Sequence, residues 1–498
     1  MSAGPRARAE FPVSLDRSTG VPLPVQLAAA LREAIDAATL RPGEAVPATR
    51  ELARRLGIAR GVVVAAYEQL VAEGYLTAVH GRGTAVNPAL AEAWSRGDAA
   101  DAPLAGPDGS TTGQPPADES RPGPLAPGIP IADTVTGPAW RAAWKESASR
   151  LAEVAPPLGD PELRARIAEH LRLTRGTARP ARDVIVTAGT RDGLGLLIDA
   201  LGGGRGREFV IGVEDPGLPT LRGAAARHGA RIVALPADDE GLDTARLPDG
   251  VLDAVIVTPS HQYPLGGSLP LPRRRELLSW AHRTGVIVIE DDYDSELRFT
   301  GSPLPALAAL DDPVDGSVVL LGTFSRTLSP ALSAGFLLAP ERLRSRLEPV
   351  RRDLGGPVSS VVQGALARYL GSGELRRHTA RMLRRYAARR DAVSDALAGA
   401  SGVRVRPMDG GLHAVIELVA GDPRTRALRE AALLSGVAEE GLGAEGLGGY
   451  WQHDGAHTAM RGLVLGIGGS DDAEFVRALG RLRDLIDAAA RIEETPSR

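Results

Sequence analysis

Apolar residues recur at helical spacing over 24–37, PVQLAAALREAIDA, and again in TRELARRLG and ARGVVVAAYEQLVAEG, which the glycines at 57 and 74 terminate. Between the first two helices, LRPGEAVPAT holds two prolines and a glycine and predicts a turn. YLTAVHGRGTAV then predicts two short strands around a Gly-Arg-Gly turn. Helix, turn, helix and β-wing make the plan of a winged helix-turn-helix, although a small three-helix domain without a nucleic-acid role has the same pattern. Further along, DVIVTAG, EFVIGVEDPG, AVIVTPS, GVIVIEDD and SVVLLGT alternate with helix-patterned stretches. Short β-branched runs separated by helices predict an α/β domain around a mainly parallel sheet.

The pattern lapses between these parts. Residues 91–128 are rich in Pro, Gly, Asp and Ser and almost devoid of large apolar groups, so a flexible linker is expected there. The expected organisation is a helical and winged unit at 14–90, a linker at 91–128 and a large α/β domain at 129–490.

Composition narrows the chemistry. The 498 residues include no cysteine, which excludes disulfides, thiolate metal sites and cysteine nucleophiles. Of 58 basic side chains one is a lysine, Lys145, in an amphipathic stretch expected to be solvated, and a Walker A loop is thereby excluded. The net charge of −4 gives no global nucleic-acid signal. Residues 1–90 carry 10 arginines and 8 acidic groups, so any DNA binding must come from placement rather than bulk charge. An amino terminus without an apolar core and the lack of a membrane-length apolar run predict a cytoplasmic protein with no membrane partner.

The stretch from PLPVQLAAAL to GRGTAV resembles the GntR-type winged helix, through PG-x(3)-P-x-x-R-x-LA, LG-x-x-R, AYEQL-x-EG and the G-x-GT wing. The resemblance implies double-stranded operator DNA as a partner, held by Thr49 and Arg50 opening the second helix, Arg60 opening the recognition helix, and Arg82, Gly83 and Thr84 in the wing. Helix N-termini offer amides to phosphates, and arginine can fork onto a guanine edge. The chain departs from the family's Ser-Arg-Asn-Thr by reading Ala59-Arg60-Gly61-Val62, with Ala65 where a second basic residue is usual. The lost capping hydroxyl costs about 1 kcal/mol of helix stability, and the lost polar groups remove candidate DNA contacts.

From 129 to 485 the chain resembles the fold-type I aminotransferases, and as a whole the MocR (PdxR) group of regulators, which fuse such a domain to a GntR head. The matching pieces are PPLGDPELRARIAEHLRLTRG, VIVTAGTRDGL, VEDPGLP, VTPSHQYPLGG, VIEDDYDSELRF, LLGTFSRTLSPALSAGFLLAP and GELRRHTARMLRRYAARRDA. The cofactor this implies is pyridoxal phosphate, whose chemistry needs a lysine amine, a carboxylate at the ring nitrogen, a partner for the ring hydroxyl and a phosphate cup. By resemblance Asp291 serves the ring nitrogen and Tyr293 the ring hydroxyl, with Tyr263 in the aromatic position of the HQ-aromatic motif. Gly189, Thr190 and Arg191 form the cup, to which Thr323 adds a hydroxyl, Ser325 lines the pocket, and Arg461 grips a ligand carboxylate or is a surface arginine at a strand start.

Three positions break the pattern. The family lysine is Arg326, its phosphate arginine is Ser333, and its stacking aromatic is Leu218. A guanidinium is protonated at every working pH and cannot act as the nucleophilic amine. Covalent cofactor binding and catalysis are therefore expected to be absent. The expected protein is a homodimeric regulator whose pocket senses an unidentified small-molecule effector or serves as a scaffold. The alternatives are a sensor of non-covalent pyridoxal phosphate or a working aminotransferase. A vacated ring site would leave Asp291 without a partner, so Arg326 is expected to approach Asp291 or the Tyr293 hydroxyl.

Weaker signals resolve as structure. Gly441 to Gly446 fits GxGxxG without a preceding strand and is expected to be a turn, as is the glycine-rich run at 202–207. The nine histidines show no metal-ligand spacing, so no metal site is expected. His453 and His457 fall in a glycine-rich loop, and His378 is expected on a solvated helix face.

Overall fold

The computed structural model describes residues 15, 22–36, 39–79, 83–88, 122–131, 135–150, 155–202, 207–298, 304–407, 409–452, 460–469 and 471–491. Two compact units result, one holding 1–113 with 270–277 and 301–305, the other the remainder.

In the first unit α1 (Leu23–Asp36), α2 (Thr49–Leu56) and α3 (Arg60–Ala72) are followed by β1 (Leu76–Val79) and β2 (Gly83–Val86), which pair antiparallel. Helix α2 ends because Gly57 adopts the left-handed conformation, φ 62°, and its N–H returns to the Ala53 carbonyl. The prolyl segment after α1 does more than turn: Val46 donates to the Thr84 carbonyl at 3.0 Å and Val86 to the Glu44 carbonyl at 2.8 Å, so it edges the wing. Leu27, Leu31 and Ile35 of α1 are buried, as are Val63, Ala66 and Leu70 of α3. Arg32 of α1 reaches the nearly buried Glu73 with two 3.0 Å bonds.

In the second unit, β3 (Val184–Thr187), β4 (Phe209–Asp215), β5 (Ala230–Asp238), β6 (Gly241–Leu242), β7 (Ala254–Val257), β8 (Ile287–Asp292), β9 (Val318–Thr323) and β10 (Gly335–Leu338) form one sheet in the order β3-β10-β9-β8-β7-β4-β5-β6. The five strands from β9 to β5 run parallel, as the alternating pattern predicts, while β10 and β6 run antiparallel. Ile211, Ile256, Ile289, Val319 and Leu321 pack this sheet against Leu194, Leu197 and Leu201 of the helix Thr190–Gly202. A second, antiparallel sheet comprises β11 (Val403–Val405), β12 (His413–Leu418), β13 (Glu445–Gly446) and β14 (Gly462–Gly466), ordered β11-β12-β14-β13. Its core takes Met382 and Tyr386 from the helix Glu374–Ala396 and Phe475, Leu479 and Leu482 from Asp472–Ala489.

Two sequence expectations fail here. The last part of the expected linker, 122–128, is bound to the second unit: Leu125 is fully buried in that core and donates to the Leu442 carbonyl at 2.8 Å. One leucine among prolines and glycines carried too little signal. The part at 91–121 lies outside the described residues. His378 is not solvated but fully buried, its Nε2 2.9 Å from the Thr327 carbonyl; it shares the inward face with Leu375, Met382 and Tyr386. Lys145 is exposed as expected, and Gly441 and Gly443 make a left-handed exit from the helix Pro423–Glu439. Among the described residues no helix is long and apolar enough to cross a membrane.

Candidate functional site

The carboxyl ends of β7, β8 and β9 deliver the pocket residues to one edge of the large sheet, where ligands of open α/β sheets bind. Asp291 is the penultimate residue of β8 and is buried, and both its carboxylate oxygens are without a hydrogen-bond partner. Burial, aided by the Asp292 carboxylate, pushes its pKa up to about 7. An orphaned carboxyl at the base of a pocket fits a protonated ring nitrogen, so this half of the site suits pyridoxal phosphate.

The opposite half is arranged differently. Arg326 follows β9 and turns neither to Asp291 nor to Tyr293; its Nη1 donates to the Gly128 carbonyl. The expected compensation of Asp291 is thus not realised, because the guanidinium meets a backbone carbonyl across the pocket first. Tyr293 is committed elsewhere as well: its hydroxyl donates to the His261 carbonyl at 3.0 Å and lies 2.9 Å from His261 Nδ1. Tyr263 meets Tyr293 edge-on at 5.6 Å, and its hydroxyl is 3.3 Å from that of Tyr450. Leu218, half-buried, packs against this aromatic cluster.

The phosphate cup is assembled in part. Gly189, φ 108°, precedes the helix starting at Thr190, and a Cβ on it would lie 3.9 Å from the Thr323 hydroxyl, which accepts from the Ser325 N–H at 3.1 Å. Gly335 abuts Gly189 closely enough to forbid a side chain. Ser333 ends a short 3-10 turn in the left-handed region, φ 42°, while Arg191 is exposed. Arg461 is engaged by Glu430, at 3.1 Å, and the other Glu430 oxygen accepts the N–H groups of Gly448 and Gly462 at 3.0 Å each. That carboxylate lies 31 residues away in sequence, and nothing local pointed to it.

Histidine spacing missed a further cluster. His261, Asp294 and His413 are buried with their ligand-type atoms within 4.8 Å of one another. His261 Nδ1 is 3.2 Å from Asp294, and His413 Nε2 is 2.8 Å from the Pro264 carbonyl. Burial and the neighbouring His261 lower the pKa of His413 to about 4, so it is neutral at ordinary pH. Glu214, also absent from the sequence expectations, is buried and accepts the Thr258 N–H at 3.2 Å; burial raises its pKa to about 7.

In the first unit, Arg60 opens α3 and its Nε is 3.4 Å from the Thr49 hydroxyl at the start of α2, so two of the expected DNA-contacting positions adjoin. Arg50 and Arg60 are exposed. Ala59 precedes α3 with no side-chain cap, as its sequence implies. Gly83 and Thr84 begin β2, and Arg82 lies outside the described residues, as do His453 and His457 and the glycine-rich 203–206.

Comparison with known proteins divides the chain the same way. The family model of bacterial regulatory proteins of the gntR family matches residues 23–86, and that of aminotransferase class I and II matches 128–437. The pyridoxine biosynthesis transcriptional regulator PdxR of Corynebacterium glutamicum is 38% identical over 485 residues, covering 96% of this chain and 99% of the relative. The probable rhizopine catabolism regulatory protein MocR of Rhizobium meliloti is 32% identical over 483 residues, 94% of each chain. A multiple substrate aminotransferase from Thermococcus profundus superposes with a TM-score of 0.63 at 22% identity, over 73% of this chain and 91% of that one, a likeness of fold alone.

Proposed function

Because the chain belongs to the MocR/PdxR-type transcriptional regulators, a gntR-family winged helix joined to an aminotransferase-like domain, we propose that it binds operator DNA as a cytoplasmic homodimer and that its large domain senses a small molecule without turning it over. The observation that carries the second part is Arg326 at the position of the family's lysine, with its guanidinium held by the Gly128 carbonyl. In catalytic relatives pyridoxal phosphate supplies an electron sink through a Schiff base, which needs an amine that this position does not offer.

Asp291, unpartnered, would hold a protonated ring nitrogen, and the cup of Gly189, Thr190, Thr323 and Ser325 a phosphate, both non-covalently. Leu218 would cover the ring in place of an aromatic group, and Ser333 would offer the phosphate a hydroxyl in place of a charge. Such a site holds its ligand by fit and hydrogen bonds, as a sensor requires. On the DNA side, Arg50 and Arg60 stand at two helix starts and Thr84 in the wing, and a dimer presents two such heads, so avidity offsets the sparse recognition helix.

Both parts are tested together. The purified chain should retard its own upstream DNA with an affinity that falls steeply with salt, and Arg60→Ala should weaken binding more than Arg6→Ala, ahead of the winged helix in sequence. After pyridoxal phosphate and borohydride, mass spectrometry should find no pyridoxyl group on residues 322–327. Unchanged DNA binding by Arg60→Ala, or an adduct within that stretch, refutes the corresponding part.

A further inference from the structure

The segment entering the large domain is fastened on both sides of Gly128. On one side the Leu125 carbonyl accepts from Gly466 at 2.7 Å; on the other, Ile131 donates to the Tyr386 hydroxyl at 2.9 Å. Gly128 itself has φ 81°, and a Cβ on it would strike the Arg326 guanidinium, so only glycine admits the cation here. The partner of Arg326 is thus a neutral carbonyl, and this is its one hydrogen-bond partner among the described residues. A guanidinium has five N–H donors and a permanent charge, so most of its capacity is unused. A carboxylate or phosphate can engage two of those donors at once in a bidentate pair, which a single carbonyl cannot. Asp291, both of whose carboxylate oxygens are unpartnered, has not taken it.

We propose that Arg326 is an anion-binding residue for an organic carboxylate or a phosphate monoester, and that the anion displaces the Gly128 carbonyl and frees the end of the linker. The inference rests on the reading of the large domain as a ligand sensor and adds the group that does the sensing. The substitution that removes the amine provides a planar fork suited to two-point recognition of an anion. Residues preceding Gly128 lead back in sequence to the winged helix, so the exchange gives the pocket an output that a lysine committed to a cofactor would not provide. A ligand biases such an equilibrium only by binding one state better, and here the bound state is the one in which Arg326 has let go of Gly128.

Hydrogen exchange over 122–131 in the full chain tests this, with inorganic phosphate, pyridoxine 5′-phosphate and malonate as separate probes at ionic strength matched with chloride. Saturating anion should speed exchange of that segment roughly tenfold or more, the scale expected from losing one charge-assisted bond. Arg326→Met should exchange fast without any probe and respond to none. Gly128→Ala, whose Cβ expels the guanidinium, should also exchange fast yet bind the effective probe more tightly. Acceleration by the two phosphates alone assigns a phosphoryl ligand, and acceleration by malonate alone a carboxylate. No acceleration by any probe, or parent-like exchange in Arg326→Met, overturns the proposal. Neither readout involves DNA, so a failure of operator binding and a failure of the anion exchange are told apart.

Discussion

Asp291 is a carboxyl group with no donor to stabilise its charge. In an unfolded chain it titrates near 3.9; in the fold burial moves it to about 7. Between those values the unfolded state gives up its proton while the folded state keeps it. The stability associated with the protonated carboxyl is thus complete below about pH 4 and lost as the pH rises through 7. Asp291→Asn, neutral throughout, should raise the melting temperature of the ligand-free chain at pH 8, with a ceiling of roughly 4 kcal/mol for a shift of this size. The gain should shrink as the pH is lowered toward 5. Equal melting at pH 8 would mean that water or a rearranged donor satisfies the carboxylate. A bound ligand with a cationic ring nitrogen should invert the ranking, since the wild-type carboxylate then has its partner and asparagine does not.

At the scale of elements, the recognition helix α3 starts without a side-chain cap. Ala59 occupies the capping position with extended backbone and offers no side-chain oxygen to the free amides. Ala59→Ser should add about 1 kcal/mol to the winged helix, measured as a rise in its thermal unfolding midpoint. It should also tighten operator binding modestly, because a hydroxyl beside Arg60 gives a phosphate another donor. No change in either quantity would show that the helix start is already satisfied. This missing cap was legible in the sequence, as were the ends of α2 and α3, because each rests on one or two neighbouring residues. The parallel sheet was legible for a similar reason: β4, β7, β8 and β9 are short apolar runs with clear flanks. The places of Asp291 and Gly189 at strand ends were legible because each lies at the end of an apolar run. What the sequence did not disclose are pairings between distant positions. Arg326 and Gly128 are 198 residues apart, and Arg461 and Glu430 meet across a helix and a strand. His378 was misplaced because its arginine neighbours dominate the pattern, while the face it shares with Leu375 and Tyr386 is the one that packs.

For the molecule as a whole, the joining of two units matters as much as either unit. In the proposed homodimer, a winged helix with few polar groups on its recognition helix would gain affinity from being presented twice, and that would depend on the large domain holding its shape. Leu125 is part of that shape although it precedes every regular element of the large domain, and its position changes how the domain can be cut from the chain. A fragment beginning at residue 129, where composition would place the border, loses a fully buried leucine from the core of the second sheet. It also leaves the Gly466 N–H and the Leu442 carbonyl without their partners. Emptying a buried leucine site costs about 2–5 kcal/mol, and each orphaned backbone group adds about 1–3 kcal/mol. Calorimetry should therefore find a fragment starting at 129 markedly less stable than one starting at 115, and equal midpoints would remove Leu125 from the core's account. Excision at the compositional border would deliver a weakened domain, and any ligand affinity measured on it would be that of a site relieved of the Gly128 carbonyl that competes for Arg326.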